Sequence, residues 1–328
     1  MQTISIIIPI LNEQKYIKEC LDSIVNSDFP KDAMEVLLID GGSSDKTVTI
    51  IKEYQKIYPF IKLFYNPKKI TPVSLNIGIK NAKNSYIIRV DAHSKYPKDY
   101  FSKLIKYHQK LEAQNVGGVI KTEVRNKTKT SLAIKAVLSD RYGVGSSFRV
   151  GVDAIKEVDT VPFGCYKREI FDKIGLYDER LVRNQDIELN KRLKKTDGKI
   201  YLVPEIKAIY FAREKFMELA KNNFANGKWN ILTAYYTKSL NSLSLRHYIP
   251  LLFISILIIL LFCCYKFAFL LFLAYFLFFA VRSAIIIKNT SLFHQIFAYI
   301  VLHFSYGVGE VAGVFKVLKM KFKDFING

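Results

Sequence analysis

Ile4-Ser-Ile-Ile-Ile-Pro-Ile10 is a short, continuous apolar run near the start of the chain. Similar runs follow at Val36–Asp40, Ile61–Tyr65 and Tyr86–Asp91. Such runs, rich in β-branched residues, are typical of strands that are buried on both faces. Helical patterns lie between them, at roughly 13–25, 45–58 and 73–82. This alternation predicts an α/β domain with a mostly parallel sheet that is covered by helices on both faces.

Polar residues follow the carboxyl ends of these strands, which is the edge where open parallel sheets bind ligands. Pro9 ends the first ladder, and Asn12 and Glu13 stand where a helix begins. The second strand ends in Asp40-Gly-Gly-Ser-Ser-Asp45, whose glycines let a ligand approach the backbone. A tight turn followed by a helix cap explains this hexapeptide equally well.

The fourth strand ends in Arg89-Val-Asp-Ala-His93. The carboxylate of Asp91 and the imidazole of His93 can share a divalent cation, which in turn would neutralise a diphosphate. Most Asp-x-His pairs are structural. The position of this pair, on the same predicted sheet edge as Asp40, favours a metal site.

The chain of 328 residues has a formal net charge of +20, which points to an anionic partner. Residues 247–328 hold seven of the 49 Lys and Arg and two of the 29 Asp and Glu, which leaves +15 on the first 246. Apolar, aromatic-rich runs near the C-terminus favour an anionic membrane surface as that partner. A lysine-rich surface that serves solubility is an alternative that can coexist. Nucleic acid is not expected, since no recognised binding motif is present.

Three apolar runs near the C-terminus predict a membrane anchor. Tyr248–Tyr265 and Phe267–Ile287 are long enough to cross a bilayer as a helical hairpin, although Arg282 interrupts the second. The third, Ile296–Phe315, contains Glu310 and a Gly-x-x-x-Gly spacing that permits close helix packing. The lysine-rich tail favours a cytoplasmic C-terminus, whereas three full spans would place it outside, so the number of spans stays open.

Two further expectations concern location. Residues 214–240 mix Lys with aromatic side chains, which suits a helix along a membrane surface. No signal peptide precedes the first strand, so the N-terminal domain is expected to stay in the cytoplasm. The four cysteines show no disulfide or metal spacing and are expected to be reduced thiols.

Taken in order, the motifs resemble glycosyltransferase family 2, the inverting enzymes of the GT-A fold. The residues that carry the resemblance are Pro9-x-x-Asn-Glu13, Asp40-Gly-x-Ser-x-Asp45, Asp91-x-His93, Thr160–Gly164, Gly175–Glu179, Arg183–Asn190 and Asn226–Trp229. The Arg-Val-Asp-Ala-His and Arg-Asn-Gln-Asp forms are most similar to succinoglycan-type exopolysaccharide glucosyltransferases. The combination in this order is specific, whereas no single motif is.

The resemblance implies donor-site roles for several residues. Asp40 would hydrogen-bond the nucleobase, with Pro9 and Glu13 lining the same pocket. Asp91 would lie near the ribose and the metal, Mn²⁺ or Mg²⁺, and His93 would complete the metal site. Many relatives carry an aspartate at the His93 position, and histidine keeps a ligand there while removing a negative charge. Asn76 is a further donor contact, with a helix-surface amide as the alternative.

The resemblance also implies a catalytic base, Asp186, with Asn184 and Gln185 on the acceptor side. Gln185 stands where the family often has another acid, so Asp186 alone can serve as base. An inverting transfer needs one carboxylate to take the proton of the acceptor hydroxyl. The alternative is that Asp186 caps the helix that follows it.

Lys228 and Trp229 resemble the end of the Gln-x-x-Arg-Trp motif, which helps to hold the donor diphosphate and the acceptor. Ala225 occupies the glutamine position and lysine replaces arginine, so the bidentate fork is lost. The full motif is typical of processive synthases, and its erosion favours one sugar per encounter. Trp229 could instead anchor an interfacial helix.

These inferences predict a GT-A catalytic domain over 1–213, an interfacial helical segment over 214–246 and a membrane anchor over 247–328. The protein is expected to be a multi-pass cell-membrane hexosyltransferase with a cytoplasmic catalytic domain. It would move one hexose, first of all glucose from UDP-glucose, to a polyprenyl-diphosphate-linked saccharide in exopolysaccharide or surface-glycan synthesis, beside other glycan-assembly enzymes. The alternatives are a polyprenyl-phosphate sugar synthase and a non-catalytic nucleotide-binding subunit of a glycan synthase complex.

Overall fold

The computed structural model describes residues 2–239, 245–287 and 289–327. It divides into two compact units. The first comprises Met1–Lys121 and Ser146–Phe211, and the second comprises Thr122–Gly145 and Ala212–Gly328. Residues 122–145, which fall within the predicted domain 1–213, thus belong to the second unit. The functional division into three segments stays a prediction, and residues 240–244, 288 and 328 of its last two segments lie outside the described residues.

The chain forms nine strands and twelve α-helices within the described ranges. The strands are β1 (Ile4–Ile10), β2 (Met34–Asp40), β3 (Ile61–Tyr65), β4 (Tyr86–Arg89), β5 (Ser94–Lys95), β6 (Asn115–Glu123), β7 (Lys156–Glu157), β8 (Cys165–Lys167) and β9 (Ile200–Phe211). The helices are α1 (Ile17–Val25), α2 (Thr47–Ile57), α3 (Thr71–Asn81), α4 (Tyr100–Lys110), α5 (Lys129–Leu138), α6 (Ser147–Val150), α7 (Ile170–Ile174), α8 (Gln185–Lys194), α9 (Phe216–Tyr236), α10 (Ile249–Cys263), α11 (Tyr265–Ile286) and α12 (Leu292–Asn327).

One sheet organises the first unit, in the order β3-β2-β1-β4-β8-β6-β9-β5, with β7 beside β9. Strands β1 to β4 pair in parallel, as predicted. Beyond β4 the sheet is mixed, because β8 runs antiparallel to both β4 and β6. Ile10 lies opposite Asp40 in the pairing of β1 with β2, so the loops that follow these two strands meet at one edge.

Strand β1 is buried on both faces, which explains its continuous apolar sequence. Ile4, Ile6 and Ile8 belong to the core on one face of the sheet, whereas Ile7 belongs to the core on the other. A Cβ on Gly78 of α3 would lie 2.4 Å from Ile7 Cγ2. Helix α3 therefore packs against the sheet too closely for any larger residue at this position.

Close packing of α9 on α12 organises the second unit. A Cβ on Gly227 would lie 2.0 Å from the Tyr306 carbonyl oxygen, and one on Gly309 would lie 2.1 Å from that of Phe224. A Cβ on Gly313 would lie 2.8 Å from the carbonyl oxygen of Lys228. The Gly-x-x-x-Gly spacing thus serves close helix packing as predicted, and its partner is α9.

Within the described part of the chain, three helical segments are long and apolar enough to cross a membrane: Leu245–Cys263, Tyr265–Ile286 and Leu292–Ile326. The third begins before the predicted Ile296 and continues through the lysine-rich tail as α12. At 36 residues, α12 is about 54 Å long, which exceeds the roughly 30 Å hydrocarbon core of a bilayer. The side on which the C-terminus lies stays a prediction.

The charge of Arg282, inside the second apolar run, is paired within the same unit. Its Nε donates to Asp140 Oδ1 at 3.0 Å, and Nη2 donates to the same oxygen. Asp140 Oδ2 accepts from the Tyr299 hydroxyl at 2.8 Å and from the Tyr142 N–H at 2.9 Å. Burial by itself would raise the pKa of Asp140, but these bonds outweigh it and the pKa is lowered.

Candidate active site

Asp40 holds the turn after β2. Its carboxylate accepts from Gly42 N at 3.0 Å, from Ser43 N at 3.1 Å and from Ser43 Oγ at 2.6 Å. Gly42 has a φ of +86°, which favours glycine. A Cβ there would lie 3.4 Å from Lys69 Cε, so the lysine side chain lies against this turn. Both the tight turn and a half-buried glycine beside a cation, Gly42 with Lys69, are therefore present.

The loop after β1 is tied to the loop after β2. Asn12 N–H donates to Ser43 Oγ at 2.9 Å, and Asn12 Oδ1 accepts from Ser44 N–H at 2.9 Å. The backbone of Asn12 adopts a φ of 57°, an uncommon conformation that asparagine tolerates. Glu13 N–H donates to Thr47 Oγ1 at 2.8 Å, which joins the same loop to the start of α2.

Arg89, the last residue of β4, brings two predicted site carboxylates together. Its Nη2 lies 2.8 Å from Asp91 Oδ1, and its Nη1 lies 3.0 Å from Asp186 Oδ2. The Arg89 side chain is only 16% exposed. Asp91 follows β4 directly and Asp186 lies on α8, so the guanidinium connects the sheet edge to this helix.

Asp186 lies in the first turn of α8, inside the helix. The N-cap is Asn184, in the left-handed region with a φ of 61°, so the alternative of Asp186 as the cap is wrong. The Asp186 side chain is 26% exposed, but its Oδ1 is enclosed. Burial raises the pKa of Asp186, Arg89 lowers it, Asp91 raises it and a hydrogen bond with Tyr177 lowers it, with a net upward shift. A raised pKa suits a general base.

Helix α8 is held in place by a buried amide. Asn190 Oδ1 accepts from Asn115 Nδ2 and from the Tyr166 hydroxyl, each at 2.9 Å. Its Nδ2 donates to Thr160 Oγ1 at 2.9 Å. These bonds fix α8 to β6 and β8, so Asp186 stands on a rigid support.

His93 faces Glu13 across the same edge. Its Nδ1 lies 3.2 Å from Glu13 Oε1, and its ring meets that of Tyr210 edge-on at 5.3 Å between centroids. Burial alone would lower the pKa of His93. The hydrogen bond with Glu13 and the nearby Tyr210 and Asp91 outweigh burial and raise this pKa to about 9.

Comparison with known proteins identifies the family of the chain. The family model described as Glycosyl transferase family 2 matches residues 5–175. The chain belongs to glycosyltransferase family 2. It is a glycosyltransferase with a GT-A fold, as the sequence motifs predict.

Two curated relatives of this glycosyltransferase resemble it over most of their length. One, from Methanococcus voltae, is named dolichyl N-acetyl-alpha-D-glucosaminyl phosphate 3-beta-D-2,3-diacetamido-2,3-dideoxy-beta-D-glucuronosyltransferase. It is 34% identical over 235 residues, which cover 69% of this chain and 72% of the relative. The other is the succinoglycan biosynthesis protein ExoA of Rhizobium meliloti, 30% identical over 225 residues, with 68% and 67% covered. The predicted similarity to succinoglycan enzymes is confirmed.

Solved structures show the same fold at low sequence identity. The S. aureus TarS fragment 1–349 in complex with UDP-GlcNAc matches with a TM-score of 0.51 and 17% identity, covering 70% of this chain and 67% of that one. GalNAc-T7 with UDP, GalNAc and Mn²⁺ matches with a TM-score of 0.52 and 18% identity, covering 66% and 45%. At such identities the likeness is evidence for the fold alone.

The residues present in this glycosyltransferase fit a cation that is shared with a substrate. Across the described ranges, no three His, Cys, Asp or Glu side chains converge into a protein cage for a metal ion. Mg²⁺ commonly takes one or two carboxylates and completes its shell with phosphate oxygens and water. Asp91 can supply such a ligand, because its side chain is 23% exposed and Arg89 hydrogen-bonds only its Oδ1. His93 can supply a second ligand once it gives up its proton.

Asn76 of α3 is buried, so the alternative of a helix-surface amide is wrong. Its Nδ2 donates to the Tyr177 carbonyl at 2.9 Å, and its Oδ1 accepts from Tyr177 N–H at 2.9 Å. Asn76 thus fixes the loop that precedes α8. Its contact with the donor stays a prediction.

The remaining predicted residues have the following places. Gln185 is buried beside the N-cap Asn184 at the start of α8. Lys228 and Trp229 lie on α9 in the second unit, where the Trp229 ring stacks on that of Tyr236 at 6.5 Å between centroids. Their predicted roles toward donor and acceptor stay predictions.

Two site residues were missed from the sequence. Arg89 is the first letter of the quoted Arg-Val-Asp-Ala-His motif, and its position at a strand end could have drawn attention to it. Lys69 follows another lysine in a loop, and nothing in its local sequence marks it. Lys69 is recognised as a site residue only from the fold, which brings its side chain beside Gly42.

Proposed function

We propose that this protein is a membrane-anchored, inverting hexosyltransferase of the cytoplasmic face. It would move one hexose from a nucleotide-diphosphate sugar, with UDP-glucose as the first donor to test, to a polyprenyl-linked saccharide. The observation that carries this proposal is the pairing of Asp91 and Asp186 through Arg89, because it sets a donor-side carboxylate beside a base candidate.

The acceptor class is supported by the relatives and by the membrane helices. The Methanococcus voltae relative is named for a dolichyl-phosphate-linked sugar, and ExoA for succinoglycan biosynthesis. Three helical segments suited to a membrane would confine the enzyme to the plane of a lipid-linked acceptor. A diphosphate linkage is expected from the sequence, and the relative's name specifies a phosphate, so both lipids belong in the assay.

Asp186 would act as the general base. In an inverting transfer the acceptor hydroxyl oxygen attacks the anomeric carbon as the bond to the diphosphate breaks, and the base takes the hydroxyl proton. The Asp186 side chain is 26% exposed and is held by Arg89 at 3.0 Å, so an acceptor hydroxyl can approach a carboxylate of fixed position.

The donor would bind along the sheet edge. A carboxylate oxygen can accept more than one hydrogen bond, so Asp40 can hold its turn and still face a nucleobase. Pro9 and Glu13 would line the same pocket. Asp91 and His93 would hold Mn²⁺ or Mg²⁺, which when bound would neutralise charge on the departing diphosphate.

The test is the release of nucleoside diphosphate by the purified full-length protein in native membrane lipid extract. A panel of nucleotide sugars would be offered with Mn²⁺, with Mg²⁺ and with chelator. Metal-dependent release from one donor, lost in Asp186→Asn, is expected. Donor binding without release, for every donor and both lipid classes, would favour a non-catalytic nucleotide-binding subunit instead.

A further inference from the structure

The Arg89 guanidinium lies between the carboxylate of Asp91 on the donor side and that of Asp186 on the acceptor side, so it can set the distance between them. Asp91 lies two residues beyond it, directly after β4, whereas Asp186 lies on α8, far along the chain. Through Nη2 at 2.8 Å and Nη1 at 3.0 Å, Arg89 contacts one oxygen of each carboxylate. One rigid planar group therefore touches both the donor side and the acceptor side.

The contacts leave both carboxylates partly accessible. Arg89 takes Oδ1 of Asp91 and Oδ2 of Asp186. The Asp91 side chain stays 23% exposed and the Asp186 side chain stays 26% exposed. Arg89 therefore holds one oxygen of each carboxylate while Asp91 can still face the donor and Asp186 can still face an acceptor hydroxyl.

A guanidinium is suited to this task and an ammonium is not. Arginine presents its N–H donors in a fixed planar fork, whereas lysine offers a single flexible point charge. The Arg89 Nε is enclosed and makes no hydrogen bond among the described residues, so the side chain is held chiefly through its two terminal nitrogens. Two carboxylates brought together without a cation between them would repel each other.

We propose that Arg89 is a positioning residue that aligns the base Asp186 with the donor site at Asp91. This inference rests on the proposed function, since it assigns Asp186 as the base. Arg89 acts through the two carboxylates and takes no proton itself. A displacement of about 1 Å between reacting groups can cost about 100-fold in rate, which sets the scale of the expected effect.

The experiment compares Arg89→Lys, Arg89→Met and the wild type in the full-length protein, with kcat, donor KM and donor binding measured separately. We expect kcat to fall about 10-fold to 100-fold in Arg89→Lys and further in Arg89→Met. Donor KM should change less than about threefold in Arg89→Lys, because the donor contacts remain. The matched control is Arg180→Met, which removes an exposed arginine paired with Asp178 at 2.7 Å and should keep wild-type kcat.

A double variant separates positioning from general structural support. If Arg89 acts through Asp186, then Arg89→Met should slow an Asp186→Asn enzyme by less than about threefold, because residues that act as a unit are non-additive. Full additivity of the two changes would overturn the proposal, as would a wild-type kcat in Arg89→Met. Inactivity of the wild type on every donor and acceptor would instead refute the proposed function, and the role of Arg89 with it.

Discussion

Replacing Arg282 by methionine should destabilise the second unit by about 3 kcal/mol. The substitution removes two of the four donors that Asp140 has in the structure and leaves its carboxylate, 3% exposed, with the Tyr299 hydroxyl and the Tyr142 N–H. Breaking a buried ion pair by removing one partner costs about 3–5 kcal/mol. We take the lower end because the Arg282 side chain is itself 25% exposed, so water already weakens the pair.

The unfolding of this unit can be followed directly. Trp229 is the only tryptophan in the sequence and lies on α9, so its fluorescence during denaturant titration in lipid–detergent micelles reports on the second unit. Arg141→Met is the matched control, because Arg141 is an exposed neighbour that packs over the Tyr142 ring. Its effect should stay within about 0.5 kcal/mol.

A double-variant cycle completes the test. Arg282→Met combined with Asp140→Asn should cost less than the sum of the two single changes, by about 1–3 kcal/mol, since the second change no longer strands a charge. Leu219→Ala is the positive control and should clearly destabilise the protein. If it does so while Arg282→Met keeps the stability of the wild type, the reasoning is refuted. In that case the pair would be an incidental contact of two solvated groups.

Three further outcomes follow from other parts of the chain. Asp91→Ala should abolish metal-dependent donor use and His93→Asp should preserve or raise it, as shown by nucleoside diphosphate release against Mn²⁺ concentration; unchanged turnover in Asp91→Ala would remove the metal assignment. Glu35 is a buried carboxylate that accepts three hydrogen bonds and has a lowered pKa in the folded protein. Its contribution to the free energy of unfolding should therefore be complete above the ordinary pKa of 4.5. This contribution should disappear as the pH falls through the lowered pKa of the folded protein. The stability gap between wild type and Glu35→Gln, about 1.5–3 kcal/mol near neutral pH, should therefore shrink in acid, and a constant gap in denaturant titrations would contradict this. Gly309→Ala should destabilise the second unit by about 1–3 kcal/mol or more, because its new methyl group would lie 2.1 Å from a rigid backbone oxygen of Phe224; an unchanged Trp fluorescence midpoint would show that the helices can separate freely.

The parallel half of the fold could be predicted because its signals are local. The predicted bounds of the first and third strands match those of β1 and β3, since each is a continuous apolar run ended by a polar residue. The placement of Asp40 and Asp91 on one edge could also be predicted, because Asp40 ends β2 and Asp91 lies just beyond β4, and both strands pair in parallel with β1. Periodicity and turn chemistry over a few residues were sufficient for these features.

The rest depends on contacts between distant parts of the chain. Nothing local to Arg89 indicates that one guanidinium reaches Asp186, and nothing local to Arg282 indicates a partner at Asp140. Likewise, the sequence predicts that α5 belongs to the catalytic domain. In the structure, Ile134 and Val137 of α5 pack in the same apolar cluster as Tyr299 of α12. Such pairings are set by tertiary structure, which a single sequence does not display.

The packing of α12 within the second unit changes the expected result of removing the C-terminal helices. From the sequence alone, truncation before Tyr248 is expected to leave donor hydrolysis measurable and to weaken transfer to lipid-linked acceptors. In the structure, however, α12 covers α5 and α9, so its removal would expose Ile134, Val137 and Leu219. We therefore expect the truncated chain to aggregate, and point variants of the full-length protein are the better tests.

The most direct test of the central claim is transfer of a labelled sugar from its nucleotide donor into the lipid fraction by wild type and by Asp186→Asn. We expect the wild type to label a lipid-linked saccharide and Asp186→Asn, with unchanged donor binding, to lose that labelling at least 100-fold, the usual scale for a general base. Wild-type labelling by Asp186→Asn would contradict the account. It would point to a lipid phosphate, which needs no base, as the acceptor.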